Sequence, residues 1–140
     1  MKVFLDANVL FSAALPESRM RLFLDHLRTI ASLVSSQAAV DEARRNIERK
    51  APAASQALGA LLEKVALTTL VAEMPGVELV QKDRHILGAA VAAQCSHLLT
   101  GDERHFKQLF GTTVMGVRVA HARMLAEEIG LKSSKTRGPK

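Results

Sequence analysis

The chain has 140 residues, 48% of them hydrophobic and 24% charged, which is typical of an ordinary globular protein. Its one cysteine, Cys95, excludes an intramolecular disulfide and favours a reducing compartment. No apolar run approaches the roughly 20 residues of a membrane span, and the N-terminal segment is too short and too soon charged for a signal peptide. We therefore expect a cytoplasmic protein that does not associate with membranes.

The net charge of +5 is concentrated at the C-terminal end. The last ten residues contain four basic residues and no acid, so the rest of the chain is nearly balanced in charge. These four are Lys132, Lys135, Arg137 and Lys140. We expect a single folded domain over residues 1–130 and a basic, disordered tail over residues 131–140, for which nucleic-acid contact is the alternative role.

Hydrophobic periodicity predicts short strands that alternate with helices. In chain order the predicted elements are a strand at 3–5, helices at 7–15 and 17–29, a strand at 30–34, helices at 37–50, 54–70 and 83–94, a strand at 97–100, a helix at 103–110, a strand at 114–115 or 117–119, and a last helix from about 122 to Gly130. This alternation favours an α/β fold in which a central parallel sheet is covered by helices on both faces.

Four acids stand where predicted strands end or predicted helices begin. Asp6 follows the first strand, Asp102 follows strand 97–100 after one glycine, Glu42 lies in the first turns of helix 37–50, and Asp83 starts helix 83–94. Because parallel strands end at the same edge of a sheet, we expect the four carboxylates to converge there. Such carboxylates repel unless a cation neutralises them, and oxygen ligands suit Mg²⁺ or Mn²⁺.

Each acid also has a simpler interpretation. Asp6, Asp83 and Asp102 are plausible helix N-caps, and Glu42 is an ordinary first-turn acid that complements the helix dipole. For any one acid alone, capping or solvation is the commoner role. The common edge favours a metal centre, and the chain has no Cys/His cluster that would favour zinc. The reaction that such a centre serves best is phosphodiester hydrolysis.

The residues around the acids form four segments that occur in order along the chain. These segments are 3–10, which contains Asp6 and Asn8; 36–45, in which Ser36 precedes Glu42 by six residues; 82–90, which contains Asp83; and 98–106, which contains Thr100 and Asp102. Together they resemble the four motifs of the PIN-domain family, in particular the toxin components of bacterial type II toxin–antitoxin modules. The resemblance covers about residues 1–120.

This resemblance implies a Rossmann-like three-layer α/β/α fold and a Mg²⁺- or Mn²⁺-dependent ribonuclease that acts on RNA and is held in check by an antitoxin protein. It also permits a homodimer. The resemblance carries catalytic and metal-ligand roles onto four acids, and supporting roles that orient these acids onto two further residues. The acids are Asp6, Glu42, Asp83 and Asp102, and the supporting residues are Asn8 and Thr100.

The sequence departs from the family pattern, or leaves it open, at two places. Many relatives carry another acid where this chain has His105, so the number of acids around a second metal ion is open. Asp41 stands beside Glu42, and we assign the ligand role to Glu42 because Ser36 sets the register. His85 and His105 lie next to the acids, where a scaffold role is commoner than a direct one.

Four arginines flank the acids and are candidates for binding RNA phosphates, although ion pairs with nearby acids explain them equally well. They are Arg44, Arg45, Arg84 and Arg104. Two other functions compete with a ribonuclease. One is a PIN-like module that binds RNA without cutting it. The other is a phosphatase with Asp6 as nucleophile, which fits less well because that chemistry requires a second aspartate at the position of Asn8.

Overall fold

The computed structural model describes residues 1–130, so the predicted basic tail lies outside the described residues. These residues form six strands and seven α-helices. The strands are β1 (Lys2–Leu5), β2 (Ser32–Ser36), β3 (Ala66–Thr68), β4 (His97–Leu99), β5 (Thr113–Val114) and β6 (Val117–Ala120). The helices are α1 (Ala7–Ala14), α2 (Arg19–Leu27), α3 (Gln37–Lys50), α4 (Ser55–Leu62), α5 (Gln81–Ala92), α6 (Glu103–Phe106) and α7 (Ala122–Glu128).

The strands form one sheet in the order β3-β2-β1-β4-β6-β5, and every pair is parallel except β5 with β6. The predicted three-layer α/β/α architecture is confirmed. The chain builds outward from β1 to β3 and then returns to place β4 on the other side of β1. The crevice between the carboxyl ends of β1 and β4 is therefore the topological switch point, where open α/β sheets bind their ligands.

The first strand is central and fully buried, as its apolar run predicts. Val3, Phe4 and Leu5 have no exposed surface, and they pair with β2 on one side and β4 on the other. Helix α1 follows at once and packs against α2, α3 and α4. Because β1 is held from both sides, the residue that follows it is placed at a rigid point of the sheet edge.

Two predicted elements in the first half of the chain differ from the structure. Strand β2 lies two residues later than predicted and includes Ser35. This serine can be buried in the strand because its Oγ donates to the Leu5 carbonyl at 2.8 Å. The predicted helix 54–70 is wrong beyond Leu62, where the chain turns into the short edge strand β3. Pairing with β2 determines this strand, and helical periodicity carries no information about pairing.

The two alternatives for the last strand are both correct, because they are the two arms of a hairpin. Strands β5 and β6 are joined by Met115 and Gly116, which have φ angles of 49° and 88°. Two consecutive residues with positive φ are what a tight two-residue hairpin of type I′ requires. Within residues 1–130, no helix has the length and apolar character needed to cross a membrane.

Gly88 allows the segment after β3 to lie directly on α5. Its carbonyl accepts a hydrogen bond from the Ala72 amide at 2.9 Å. A Cβ at position 88 would stand 2.5 Å from the Ala72 carbonyl oxygen and 2.8 Å from Val71 Cγ1. Since the nearer atom is backbone, we expect Gly88→Ala to lower the free energy of unfolding by about 1–3 kcal/mol, the usual cost of overpacking.

Chemical denaturation measures this effect, and Gly59→Ala is its matched control. Gly59 is also helical, in α4, but a Cβ there would meet no atom within 4 Å. Alanine is better than glycine inside a helix, so the control should gain about 0.5–1 kcal/mol. Effects of the same sign at both glycines would contradict close packing at Gly88.

Candidate metal centre

Asp6 directly follows β1 and forms the N-cap of α1. Its Oδ1 accepts from the Ala7 amide at 2.7 Å, and its Oδ2 accepts from the Thr100 hydroxyl at 2.8 Å. The residue is 6% exposed. Burial raises the pKa of Asp6 above its ordinary value, and the charges of Glu42 and Asp83 act in the same direction, whereas the two hydrogen bonds oppose the shift.

A small polar network joins the ends of β1 and β4. The Asn8 side chain donates to Asp6 Oδ2 at 3.2 Å and to Thr100 Oγ1 at 3.3 Å, and it accepts from the Gly101 amide at 2.8 Å. Thr100 Oγ1 also accepts from the Asp102 amide at 3.1 Å. The network thus fixes the Asp6 carboxylate and the backbone of Asp102 relative to each other across the switch point.

Asp102 follows β4 and forms the N-cap of α6. Its Oδ1 accepts from the His105 amide at 3.1 Å, while its Oδ2 lies 3.0 Å from His105 Nδ1. The same Nδ1 lies 2.9 Å from Asp83 Oδ2. Asp83, Asp102 and His105 are the one group of three acidic, histidine or cysteine side chains among residues 1–130 whose ligand atoms all lie within 4.8 Å of one another. We call this group the Asp83–Asp102–His105 cluster.

Asp83 is the most confined acid at the sheet edge. The predicted helix start at this residue is wrong, because α5 begins at Gln81 and Val80 occupies the cap position without a capping side chain. Asp83 therefore does not cap its helix, although it lies in the first turn. The residue is 1% exposed, and its Oδ2 is buried without a well-directed hydrogen-bond donor, since the contact with His105 has the distance of a hydrogen bond but a poor direction.

The electrostatic environment of Asp83 disfavours a negative charge. Burial raises the pKa of Asp83 most, and the charges of Asp102 and Glu42 raise it further, while His105 and Lys82 act in the opposite direction. A buried carboxylate oxygen without a hydrogen-bond partner loses much free energy of hydration, and a bound cation can compensate this loss. The donor set at this edge therefore fits a divalent cation.

Glu42 points toward the other acids and forms an ion pair with Lys82, with Nζ and Oε2 3.2 Å apart. Partial burial disfavours the charged form of Lys82, but the hydrogen bond and charge of Glu42, together with Asp83 and Asp6, outweigh it and raise the pKa of Lys82. Asp41 turns the other way and accepts from Gln37 at 2.9 Å. This geometry agrees with choosing Glu42 over Asp41 as the acid that faces the site.

The four acids thus share the carboxyl edge of the sheet, but not one set of ligand distances. Asp83 and Asp102 lie in the cluster, whereas Asp6 and Glu42 border it and act on it through their charges. Sequence reasoning missed Lys82 and gave His105 little weight. The spacing of Asp102 and His105 did contain a signal, because residues three apart share a face of a helix.

The flanking arginines have different environments. Arg84 is partly buried and donates to the Met74 carbonyl at 3.0 Å, which ties α5 to the preceding loop. Arg44, Arg45 and Arg104 are exposed.

Beside the cluster lies an open groove of about 510 Å³, whose lining includes Val80, Arg104, His105 and Lys107. Arg104 and Lys107 therefore lie beside His105 in the lining of this groove, which also contains the acid Glu78.

Comparison with known proteins agrees with this architecture. The family model described as PIN domain matches residues 2–104. Solved structures with a similar fold include VapBC2 from Rickettsia felis bound to a DNA fragment from its promoter, with a TM-score of 0.65, 16% identity, and coverage of 86% of this chain and 98% of that chain. They also include FitAB bound to the IR36 DNA fragment, with a TM-score of 0.54, 17% identity, and coverage of 86% and 94%.

No curated protein matches the chain significantly in sequence. At 16% and 17% identity, the similarity to VapBC2 and FitAB establishes the fold alone. The match to the family model is of a different kind, because it extends over more than half of the chain and contains all four acids. The chain therefore belongs to the PIN-domain family.

Proposed function

We propose that this protein is a metal-dependent endoribonuclease that hydrolyses RNA phosphodiester bonds, and that it is the toxin of a toxin–antitoxin pair. The observation that carries the catalytic part is the buried Asp83, whose Oδ2 lacks a well-directed donor and faces the cluster beside Asp102. A bound cation would satisfy this oxygen, as a proton would, and membership of the PIN-domain family supports the cation and a nuclease as the enzyme that uses it.

In this proposal Asp6, Glu42, Asp83 and Asp102 hold Mg²⁺ or Mn²⁺. A bound divalent cation would lower the pKa of water and stabilise the negative charge that develops on the phosphate. The protein supplies the orientation of the acids. Thr100 and Asn8 fix the Asp6 carboxylate by hydrogen bonds, as partners of metal ligands commonly do.

The substrate path in this proposal is the groove beside His105. Arg104 and Lys107 lie along it and offer positive charge to RNA phosphates, and Arg44 and Arg45 are further exposed basic residues, on α3. Arg84 has a structural contact with the Met74 carbonyl, so we assign it the smallest share of RNA binding.

The toxin assignment rests on the resemblance of the four motifs to type II toxins and on the similarity of the fold to VapBC2 and FitAB, both bound to DNA fragments. It implies a cytoplasmic protein with an antitoxin partner. Co-expression with the product of a small adjacent open reading frame, followed by co-purification, tests this part separately from the catalytic part.

The catalytic proposal is tested by incubating the purified protein with structured RNA in Mn²⁺, Mg²⁺ or chelator. We expect internal cleavage in metal and none in chelator. Glu42→Gln should lower the cleavage rate at least about tenfold, because it removes one of the acids around the metal. Asp41→Asn is the matched control on the same helix, and it should cleave like the wild type because Asp41 faces Gln37.

A non-catalytic RNA-binding module is the second candidate, favoured by the exposed basic residues beside the groove. It predicts salt-sensitive RNA binding with intact RNA in every metal. That result, obtained with folded protein, would replace the nuclease proposal. Equal loss of cleavage in Glu42→Gln and Asp41→Asn would contradict the assignment of Glu42.

A further inference from the structure

We infer that His105 is a ligand of the metal ion through Nδ1, together with Asp83 and Asp102, and that this nitrogen makes the site select a first-row transition-metal ion such as Mn²⁺ over Mg²⁺. The inference rests on the proposed metal centre and assigns a role to a residue that replaces an acid of many relatives. The inference concerns which metal ion the site binds. The four acids alone do not determine this.

The first observation is the geometry of the cluster. His105 Nδ1 lies 2.9 Å from Asp83 Oδ2 and 3.0 Å from Asp102 Oδ2. Neighbouring ligands of an octahedral ion with bonds of about 2.1 Å are separated by about 3 Å. The nitrogen is thus spaced from each of the two oxygens like an adjacent ligand around one ion, and the ligand atoms of all three residues lie within 4.8 Å of one another.

The second observation concerns the burial of Asp83 and the direction of its contact with His105. Asp83 is 1% exposed, and its Oδ2 is buried without a well-directed donor although His105 Nδ1 is nearby. If the imidazole were placed only to neutralise Asp83, its N–H would be expected to point at this oxygen. The Nδ1 position meets both carboxylates in distance but only Asp102 in direction, so Asp83 Oδ2 is left able to bind an ion.

The backbone holds His105 in place for this role. Its amide donates to Asp102 Oδ1 at 3.1 Å, so the first turn of α6 fixes the histidine relative to the aspartate. The side chain is 31% exposed and lines the groove, so an ion can reach it from solvent. In the competing interpretation, Nδ1 only donates a hydrogen bond to Asp102, and the identity of the metal is independent of His105.

The chemistry of the donors distinguishes the two. Mg²⁺ takes oxygen ligands almost exclusively, whereas imidazole nitrogen favours transition-metal ions over it. A cluster with two carboxylate oxygens and one imidazole nitrogen should therefore bind Mn²⁺ more tightly than Mg²⁺. His105→Asp supplies a third carboxylate instead, which should retain Mn²⁺ and remove the discrimination against Mg²⁺.

The direct test is pulsed electron paramagnetic resonance of Mn²⁺ bound to the full-length protein. A nitrogen bonded to Mn²⁺ couples to its unpaired electrons, so the wild type should show a ¹⁴N coupling. His105→Asp should bind Mn²⁺ without this coupling. His85→Asn is the matched control, because His85 is exposed on α5 and outside the cluster, and it should keep the coupling.

Calorimetry gives a second readout that does not depend on cleavage. The ratio of the Mg²⁺ to the Mn²⁺ dissociation constant should fall at least about tenfold in His105→Asp, the lower end of what even outer partners of a metal site contribute. An unchanged ratio, or bound Mn²⁺ without ¹⁴N coupling in the wild type, would overturn the inference. RNA cleavage that still requires metal and Asp6 would then leave the proposed nuclease intact. Failure of the folded protein to bind Mn²⁺ would overturn both.

Discussion

Replacing Asp6 with asparagine is expected to abolish metal-dependent RNA cleavage while the protein stays folded. The carboxylate lies at the topological switch point, where Thr100 and Asn8 hold it by hydrogen bonds. Asparagine removes one negative charge from the proposed metal centre. Loss of a partner that only orients a metal ligand costs 10–100-fold, so loss of a ligand should lower the cleavage rate at least about 100-fold.

The fold should survive because asparagine caps a helix nearly as well as aspartate, and the Ala7 amide keeps its acceptor. The substitution also removes a carboxylate whose pKa is raised by burial, which offsets the weakened bonds from Thr100 and Asn8. Circular dichroism and a gel assay of RNA cleavage in Mn²⁺ measure the two properties. Asp25→Asn, an exposed position on α2, is the control. Undiminished cleavage by Asp6→Asn would remove Asp6 from the mechanism.

Most of the architecture could be predicted from the sequence because local pattern and tertiary structure agree. The apolar run before Asp6 is a buried central strand, and the stripe of α3 begins where Ser36 caps it, with its Oγ 3.1 Å from the Ala39 amide. The local sequence pattern and the tertiary structure disagree at the edges of the sheet. Strand β3 is held by pairing with β2, and its exposed Leu67 resembles the end of a helical stripe in sequence.

The site was predictable in its location but not in its detail. Strand ends place Asp6 and Asp102, since each follows its strand closely. The environment of Asp83 depends on the start of α5, which has no capping side chain to mark it. The Lys82–Glu42 pair joins residues forty positions apart, so no local pattern reports it. His105 could be placed near Asp102, but its approach to Asp83 depends on how α5 and α6 pack.

Asp83→Asn is expected to stabilise the metal-free protein at pH 8. Burial raises the folded-state pKa of Asp83 above its ordinary value of 3.8, so folding favours the protonated form. The contribution of protonated Asp83 to the free energy of unfolding is fully present below pH 3.8. It is lost as the pH rises through the folded-state pKa. Once the pH exceeds the folded-state pKa, the wild type carries an ionised buried carboxylate, which asparagine does not. In chelator, the melting temperature of the variant should therefore exceed that of the wild type and fall less as the pH rises.

Excess Mn²⁺ should reverse this order. A metal that binds only the folded state stabilises it by about 2.7 kcal/mol at a hundred times its dissociation constant, and the wild type should gain this stabilisation. The variant loses a ligand, so it should gain much less. Glu103→Gln is the control, because Glu103 is an exposed acid next to Asp102, and its melts should follow the wild type in both conditions. Thermal melts at pH 8, in chelator and then in Mn²⁺, decide the question. If Asp83→Asn and the wild type responded to Mn²⁺ equally, Asp83 would be a buried acid without a metal, and its unpartnered oxygen would need another explanation.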